Sequence, residues 1–307
     1  MAFFEYTDAM NRVLTALMIV SMVLWGGSWV SGKLAAVSVD PFVIIFWRFF
    51  LTAASLLPLL KPFKQGLAIP RGALRWLIAA SSSLFIYNIC FFVGLQTGLA
   101  GKGGLIVTTL NPLFTFLLTF LIQRAKISRL QAFGLFLGFA GGFVMLEVWL
   151  HDATDLLAGG NLLFLAASVL WALLTMASGK AQEKVPFISY SIWAYGLTAL
   201  MGLAASLVTG SLWTTPVHSV PFWLNMLYLS VGATSFATTV YFLCTSRLGS
   251  RRASAFIFTV PVSALLFSWL FLKEVPTIYA LAGGALAIGA VYVIHRARSG
   301  TATAASS

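Results

Sequence analysis

The chain alternates between long apolar runs and short polar connections. Apolar segments fall at about residues 13–37, 41–60, 73–95, 103–122, 128–149, 157–179, 187–209, 221–246, 253–272 and 276–295. A helix needs about 20 residues to cross the hydrocarbon core of a bilayer, and each segment is long enough. Backbone polar groups find no water in lipid, so a spanning segment is a helix or a strand of a closed barrel. Barrel strands alternate apolar and polar residues over about ten positions. The runs Leu113–Ile122 and Ala280–Ile294 are continuously apolar instead. The pattern therefore predicts an all-α polytopic membrane protein with ten transmembrane helices.

Composition narrows the class further. Of 307 residues, 60% are apolar and 9% charged, with a mean hydropathy of +0.94. A soluble domain carries about 25% charged residues, so this chain lacks the polar surface of a water-facing globule. Ten spans take up roughly 200 residues, which leaves no room for a soluble domain. The first apolar run starts behind Glu5 and Asp8 and exceeds the h-region of a signal peptide, so it is expected to be retained. Cys90 and Cys244 both sit in apolar runs, which argues against a disulfide framework.

A net charge of +11 on a soluble protein points to nucleic acid. Here its distribution reads as topology. With a cytoplasmic N-terminus, one side holds Arg12, Lys61, Lys64, Arg71, Arg75, Arg124, Lys126, Arg129, Lys180, Lys184, Arg247, Arg251, Arg252, Arg296 and Arg298. The other side holds Lys33, Lys102 and Lys273, and Arg48 lies within a span. Basic residues mark cytoplasmic loops, so both termini are expected to be cytoplasmic. The partners expected are the bilayer of an inner (plasma) membrane and a small-molecule substrate. No nucleic acid is expected, and the chain is expected to be a monomer.

The two halves resemble each other. Pro112 and Pro261 are 149 positions apart, as are Leu99 and Leu248, Leu117 and Leu266, Leu121 and Leu270, Gly134 and Gly283, and Leu137 and Leu286. With small slips, Trp25 matches Trp171, Ser31-Gly32-Lys33 matches Ser178-Gly179-Lys180, and Pro41 matches Pro186. Residues 1–150 and 151–307 then form two five-helix repeats. Five is odd, so the second repeat enters the membrane inverted, an arrangement that suits alternating access.

On these residues the chain resembles the EamA family of the drug/metabolite transporter superfamily. The resemblance rests on Leu24-Trp25-Gly26-Gly27-Ser28 with Lys33, Pro41 and Arg48, on Leu110-Asn111-Pro112-Leu113, and on Thr259-Val260-Pro261-Val262 followed by Leu272-Lys273-Glu274 and Gly283-Gly284. It implies a ten-helix transporter of small metabolites, with amino-acid export known in one branch. The first repeat departs from the pattern: where the second has Lys273-Glu274, it has Arg124-Ala125.

The residues themselves locate a site. A proline inside a helix removes one hydrogen bond and crowds the carbonyl four residues back. Pro112 and Pro261 read as mid-span hinges that loosen the carbonyls of Thr108 and Ile257, and interrupted helices at matching repeat positions point to a midplane site. The substrate contacts expected are Trp25, Tyr87, Asn88, Thr108, Asn111, Trp171, Tyr241 and Thr259. Asn225, Tyr228, Gly232 and Ser235 recur at helical spacing, which fits either cavity lining or interhelical hydrogen bonding. The run Gly134, Gly138 and Gly142, with Gly283 and Ala287, reads as close helix packing.

Intramembrane charge is scarce. Arg48 and Lys33 are candidate contacts for an anionic group; Arg48 has Asp40 or backbone carbonyls as alternative partners, and Lys33 is long enough to snorkel. Trp193 stands at the position equivalent to Arg48. No Asp, Glu or His falls near a span centre, and proton relays in membranes are built from such groups, so a facilitator or exchanger is expected. Two Cys and three scattered His lack zinc spacing. Gly101-Lys102-Gly103-Gly104 lacks the phosphate-loop pattern. No catalytic residue, metal or cofactor is expected, nor enzymatic activity.

Overall fold

The computed structural model describes residues 2–123, 128–150, 160–214, 219–248, 256–257 and 259–304. Arg124, Lys126, Arg251 and Arg252 of the charge pattern lie outside them, as do Ala125, His151, Asp152, Asp155 and His218. The elements described are helical: α1 (Ala2–Ala36), α2 (Pro41–Leu56), α3 (Arg71–Thr97), α4 (Ala100–Gln123), α5 (Arg129–Leu146), α6 (Asn161–Gln182), α7 (Phe187–Val208), α8 (Val220–Leu227), α9 (Ala237–Leu248), α10 (Thr259–Leu272) and α11 (Ile278–Ala304). A 3-10 turn, Leu57–Leu60, extends α2, and a single turn, Ser211–Thr214, follows α7. Helices α1 to α7 are long and apolar enough to cross a membrane, whereas α10 and the first part of α11 are shorter apolar helices.

Capping residues set several helix starts. Asp40 accepts a bond from the Phe42 amide at 2.9 Å, with Pro41 at the first helical position of α2. There the missing N–H of proline costs nothing. Ser128 and Gln131 form a reciprocal capping box at α5, and such caps contribute about 1 kcal/mol each.

The eighth apolar segment is not one regular helix. Between α8 and α9 the chain is π-helical over Tyr228–Phe236. A π turn widens the helix and frequently marks a functional site. It also shifts the facing of every later side chain relative to a 3.6-residue period.

Helix pairing joins the two halves of the chain. α1 packs on α10 and α6 on α4; α3 packs on α6, while α8 and α9 pack on α1. α2 pairs with α7, α4 with α10, and α5 with α11. Glycines permit the closest of these approaches. A Cβ on Gly141 of α5 would lie 2.7 Å from the Gly283 carbonyl oxygen of α11. On the neighbouring face of α5, Gly142 receives Leu110 of α4, whose methyl would lie 3.0 Å from an added Cβ. Large apolar side chains also cover the outside: Phe136 is 70% and Phe271 69% exposed, a surface suited to lipid.

A candidate substrate-binding cavity

The packed halves enclose a cavity of about 810 Å³, within the range of small-molecule sites. α1 contributes Trp25, Ser28 and Trp29, and α2 contributes Arg48 and Phe49. α3 contributes Tyr87, Asn88 and Phe91; α4 contributes Thr108, Asn111, Pro112, Thr115 and Thr119. Trp171, Thr175, Ser178, Gly179 and Gln182 come from α6, and Tyr190, Ser191 and Tyr195 from α7. The π segment and α9 add Ala233, Thr234, Thr238 and Tyr241.

Aromatic rings form two walls. Trp25 and Tyr241 lie 5.4 Å apart between centroids, and the Trp25 indole N–H donates to the Ala233 carbonyl at 2.8 Å. That carbonyl belongs to the π segment, so the irregular backbone fixes this ring. On the other side Tyr87 meets Trp171 edge to face at 4.9 Å. Trp29 packs between Phe91 and Phe164 at 4.7 and 5.9 Å.

Arg48 is the charged side chain among the described lining residues. Its Nη1 donates to Asn88 Oδ1 at 3.1 Å and its Nη2 to Thr234 Oγ1 at 3.4 Å. The guanidinium lies 5.3 Å from the Phe49 centroid and 5.8 Å from those of Phe91 and Phe92. Nε is buried without an acceptor. Among the described residues no carboxylate pairs with this charge. Asp40 caps α2 and accepts from Ser211 Oγ at 3.1 Å, so the Arg48–Asp40 pair, one of the alternatives read from the sequence, does not form. Trp193, the equivalent position in the other half, is partly exposed and donates to the Leu67 carbonyl at 2.9 Å.

Of the residues singled out in the sequence, Trp25, Arg48, Tyr87, Asn88, Thr108, Asn111, Pro112, Trp171 and Tyr241 line this cavity. Thr259, Lys33 and Pro261 do not. Thr259 donates to the Phe256 carbonyl at the start of α10, and its side chain faces outward. Lys33 Nζ donates to the Gly98 carbonyl at 2.6 Å, which engages its charge at a helix end. Pro261 is the third residue of α10 rather than a mid-helix residue. The first turn of a helix has no intrahelical acceptor for its N–H groups, so proline is tolerated there. The Ile257 carbonyl accepts from Val260 N at 3.0 Å. Pro112, by contrast, does interrupt a helix interior.

The polar face expected at Asn225, Tyr228 and Ser235 binds helices together instead. Ser31 Oγ donates to Asn225 Oδ1 at 2.7 Å, Tyr228 O–H to the Leu24 carbonyl at 3.0 Å, and Ser235 shares a 2.5 Å hydrogen bond with Ser55. The π turn brings Ala233, Thr234 and Thr238 to the cavity in their place. Trp29, Thr115, Thr119, Gln131, Ser178, Gln182, Tyr190 and Tyr195 were not anticipated. Their signal is spacing: 108, 111, 115 and 119 share a face of α4, as do 171, 175, 178 and 182 of α6.

Among the described residues, the cavity lining reaches one end of the helices. Gln131, Gly179 and Gln182, which line it, sit where α5 begins and α6 finishes. At the opposite end α4 and α10 are locked together. The Glu274 carboxylate accepts from the amides of Ala100 and Gly101 at 3.1 and 3.0 Å. Ser268 Oγ accepts from Gly101 N at 3.0 Å and donates to Glu274.

Comparison with known proteins places this architecture. Residues 14–146 and 158–296 each match the EamA-like transporter family. The chain belongs to that family. An uncharacterized transporter of Archaeoglobus fulgidus is 27% identical over 289 residues, covering 92% of this chain and 98% of the relative. A probable terminal-alkyne amino-acid exporter of Streptantibioticus cattleyicolor is 27% identical over 212 residues, covering 67% and 68%. A crystal structure 19% identical in sequence aligns with a TM-score of 0.62, covering 92% of this chain and 96% of that one, which shows the shared fold. This EamA-family chain is thus a helical, multi-pass membrane transporter.

Proposed function

We propose that this chain is a secondary transporter that exports small amphipathic metabolites, amino acids being the first class to test. It works by alternating access through the cavity between two inverted five-helix repeats, residues 1–150 and 151–307. The observation that carries this reading is that equivalent positions of the two halves stand in different states. Thr119 and Ser268 are 149 positions apart; Thr119 lines the open cavity, while Ser268 is fully buried in the latch with Glu274. Gly32 is equivalent to Gly179. A Cβ on Gly32 would lie 2.8 Å from the Phe91 ring, whereas one on Gly179 would meet nothing within 4 Å. Exchanging the two arrangements moves the opening from one face to the other.

The basic residues support an inner-membrane orientation with both termini cytoplasmic, which makes the open end cytoplasmic, the side from which an exporter loads its substrate. The family match in each half supports the repeat boundaries, and the relative named as an amino-acid exporter supports the substrate class. One chain provides a complete cavity, consistent with a monomer. The test is counterflow in proteoliposomes made with the full chain, using a panel of amino acids and amphipathic ions. Saturable exchange of a panel member is the expected result. Correctly folded protein that exchanges no solute contradicts the reading.

A further inference from the structure

The charge balance of the cavity defines its ligand more narrowly than its shape does. Arg48 places a permanent positive charge in the lining. Two of its donors reach only neutral oxygens, those of Asn88 and Thr234, and its Nε–H has no acceptor. An arginine inside a membrane is costly and normally finds an anion or a set of acceptors. The carboxylates whose side chains are described are engaged elsewhere: Asp40 at the cap of α2, Glu147 with Thr277, Glu183 with Lys180, and Glu274 in the latch. None of them lines the cavity. The guanidinium is thus a cation whose missing partner would come from the ligand.

We infer that the cavity selects organic monoanions, meaning a carboxylate on an aromatic or otherwise apolar body, over zwitterions and cations. This rests on the transport reading of the same cavity. A carboxylate at Arg48 forms charge-assisted bonds with the Nη groups, which now reach only neutral oxygens. The walls of Trp25, Tyr241, Tyr87 and Trp171 then receive the apolar body. An α-ammonium group brings a second charge to a site where no described carboxylate is present to receive it. Leaving water without such a partner is unfavourable. A free amine meets repulsion from Arg48 directly. An amino acid would therefore be held through its carboxylate, and its amine would weaken binding.

Indole-3-propionate, tryptophan and tryptamine provide a matched set, with one ring and one chain length but different charge. Equilibrium binding of each radiolabelled probe is measured on the purified full chain, and exchange of each in proteoliposomes. The expected order is indole-3-propionate, then tryptophan, then tryptamine, with about tenfold or more between the first two. Arg48→Lys should bind the anion more weakly but keep the order, and Arg48→Met should erase it. If Arg48→Met does not purify as a folded species, the wild-type order and Arg48→Lys still decide. Tryptophan or tryptamine binding as tightly as the anion overturns the inference and leaves the transport reading standing. So does anion binding unchanged in both variants. Failure of all three probes, together with every other solute, to bind or exchange overturns both.

Discussion

Arg48 shows how one residue changes the character of a site that is otherwise aromatic and neutral. Its Asn88 contact supplies a second way to probe the charge. Asn88 is fully buried, and it accepts from Arg48 while its amide donates to the Leu84 carbonyl at 2.8 Å. Asn88→Asp is nearly isosteric and would give Arg48 the anion it lacks. We expect binding of indole-3-propionate to fall at least tenfold in this variant. Thermal unfolding in detergent should change by no more than about 1 kcal/mol, because the lost Leu84 bond is offset by the ion pair. Retained anion affinity would remove Arg48 from the site. The aromatic and amide residues at helix centres were legible in the sequence because such groups in lipid need a reason. Lys33 and Thr259 were misplaced for a physical reason too. Lys33 lies near the end that is packed shut, which sequence does not show, and the Thr259 side chain faces outward at the start of α10; both donate to backbone carbonyls.

At the level of helices, two devices control the cavity. The π segment turns Thr234 and Thr238 inward and leaves Asn225, Tyr228 and Ser235 as bonds between helices. Pattern reading assumes 3.6 residues per turn, so a π turn is invisible to it and the inferred face is displaced. The second device is the Glu274 latch on the start of α4. Its partner position in the first half is Ala125, so no second carboxylate can form the same latch at the other end. Bonds from backbone amides to a carboxylate contribute about 1.5–3 kcal/mol. Glu274→Gln should therefore favour the opposite opening. In a Cys90→Ala/Cys244→Ala background, Val107→Cys reports this through an impermeant thiol reagent. Labelling from the Glu274 face should rise about tenfold with the Gln variant; equal labelling with and without it would show that the latch holds nothing closed. Glycine contacts are separate from gating. Gly141→Val should lower thermal stability by a few kcal/mol by prising α5 from α11, measured as a drop in Tm.

At the scale of the whole molecule, the proposed arrangement is two similar halves around the cavity lined by Arg48 and the aromatic walls. The hydropathy pattern made the all-helical, membrane-spanning class readable, because it depends on length rather than on contacts; the offset of 149 underlies the proposed repeats. The asymmetry between the ends was not readable, since equivalent residues such as Gly32 and Gly179 differ in packing and not in identity. No Asp, Glu or His falls near a span centre in the sequence, and no carboxylate whose side chain is described lines the cavity, so transport is expected to proceed without proton coupling. Net flux of a monoanion should also be electrogenic, an inside-negative potential favouring export by about 2.3 kcal/mol per 100 mV. A trapped pH dye tests the first expectation, and net flux into proteoliposomes clamped with valinomycin tests the second. Substrate-driven proton flux abolished by one intramembrane substitution would contradict the first. The most direct test of the central claim blocks the cavity itself. In the background lacking Cys90 and Cys244, Gly179→Cys lies in the open lining, and Val208→Cys lies outside it on an 88% exposed residue. Complete alkylation with a bulky maleimide should abolish solute counterflow at Gly179→Cys and leave it intact at Val208→Cys. Undiminished counterflow through fully alkylated Gly179→Cys would mean that solute takes another route.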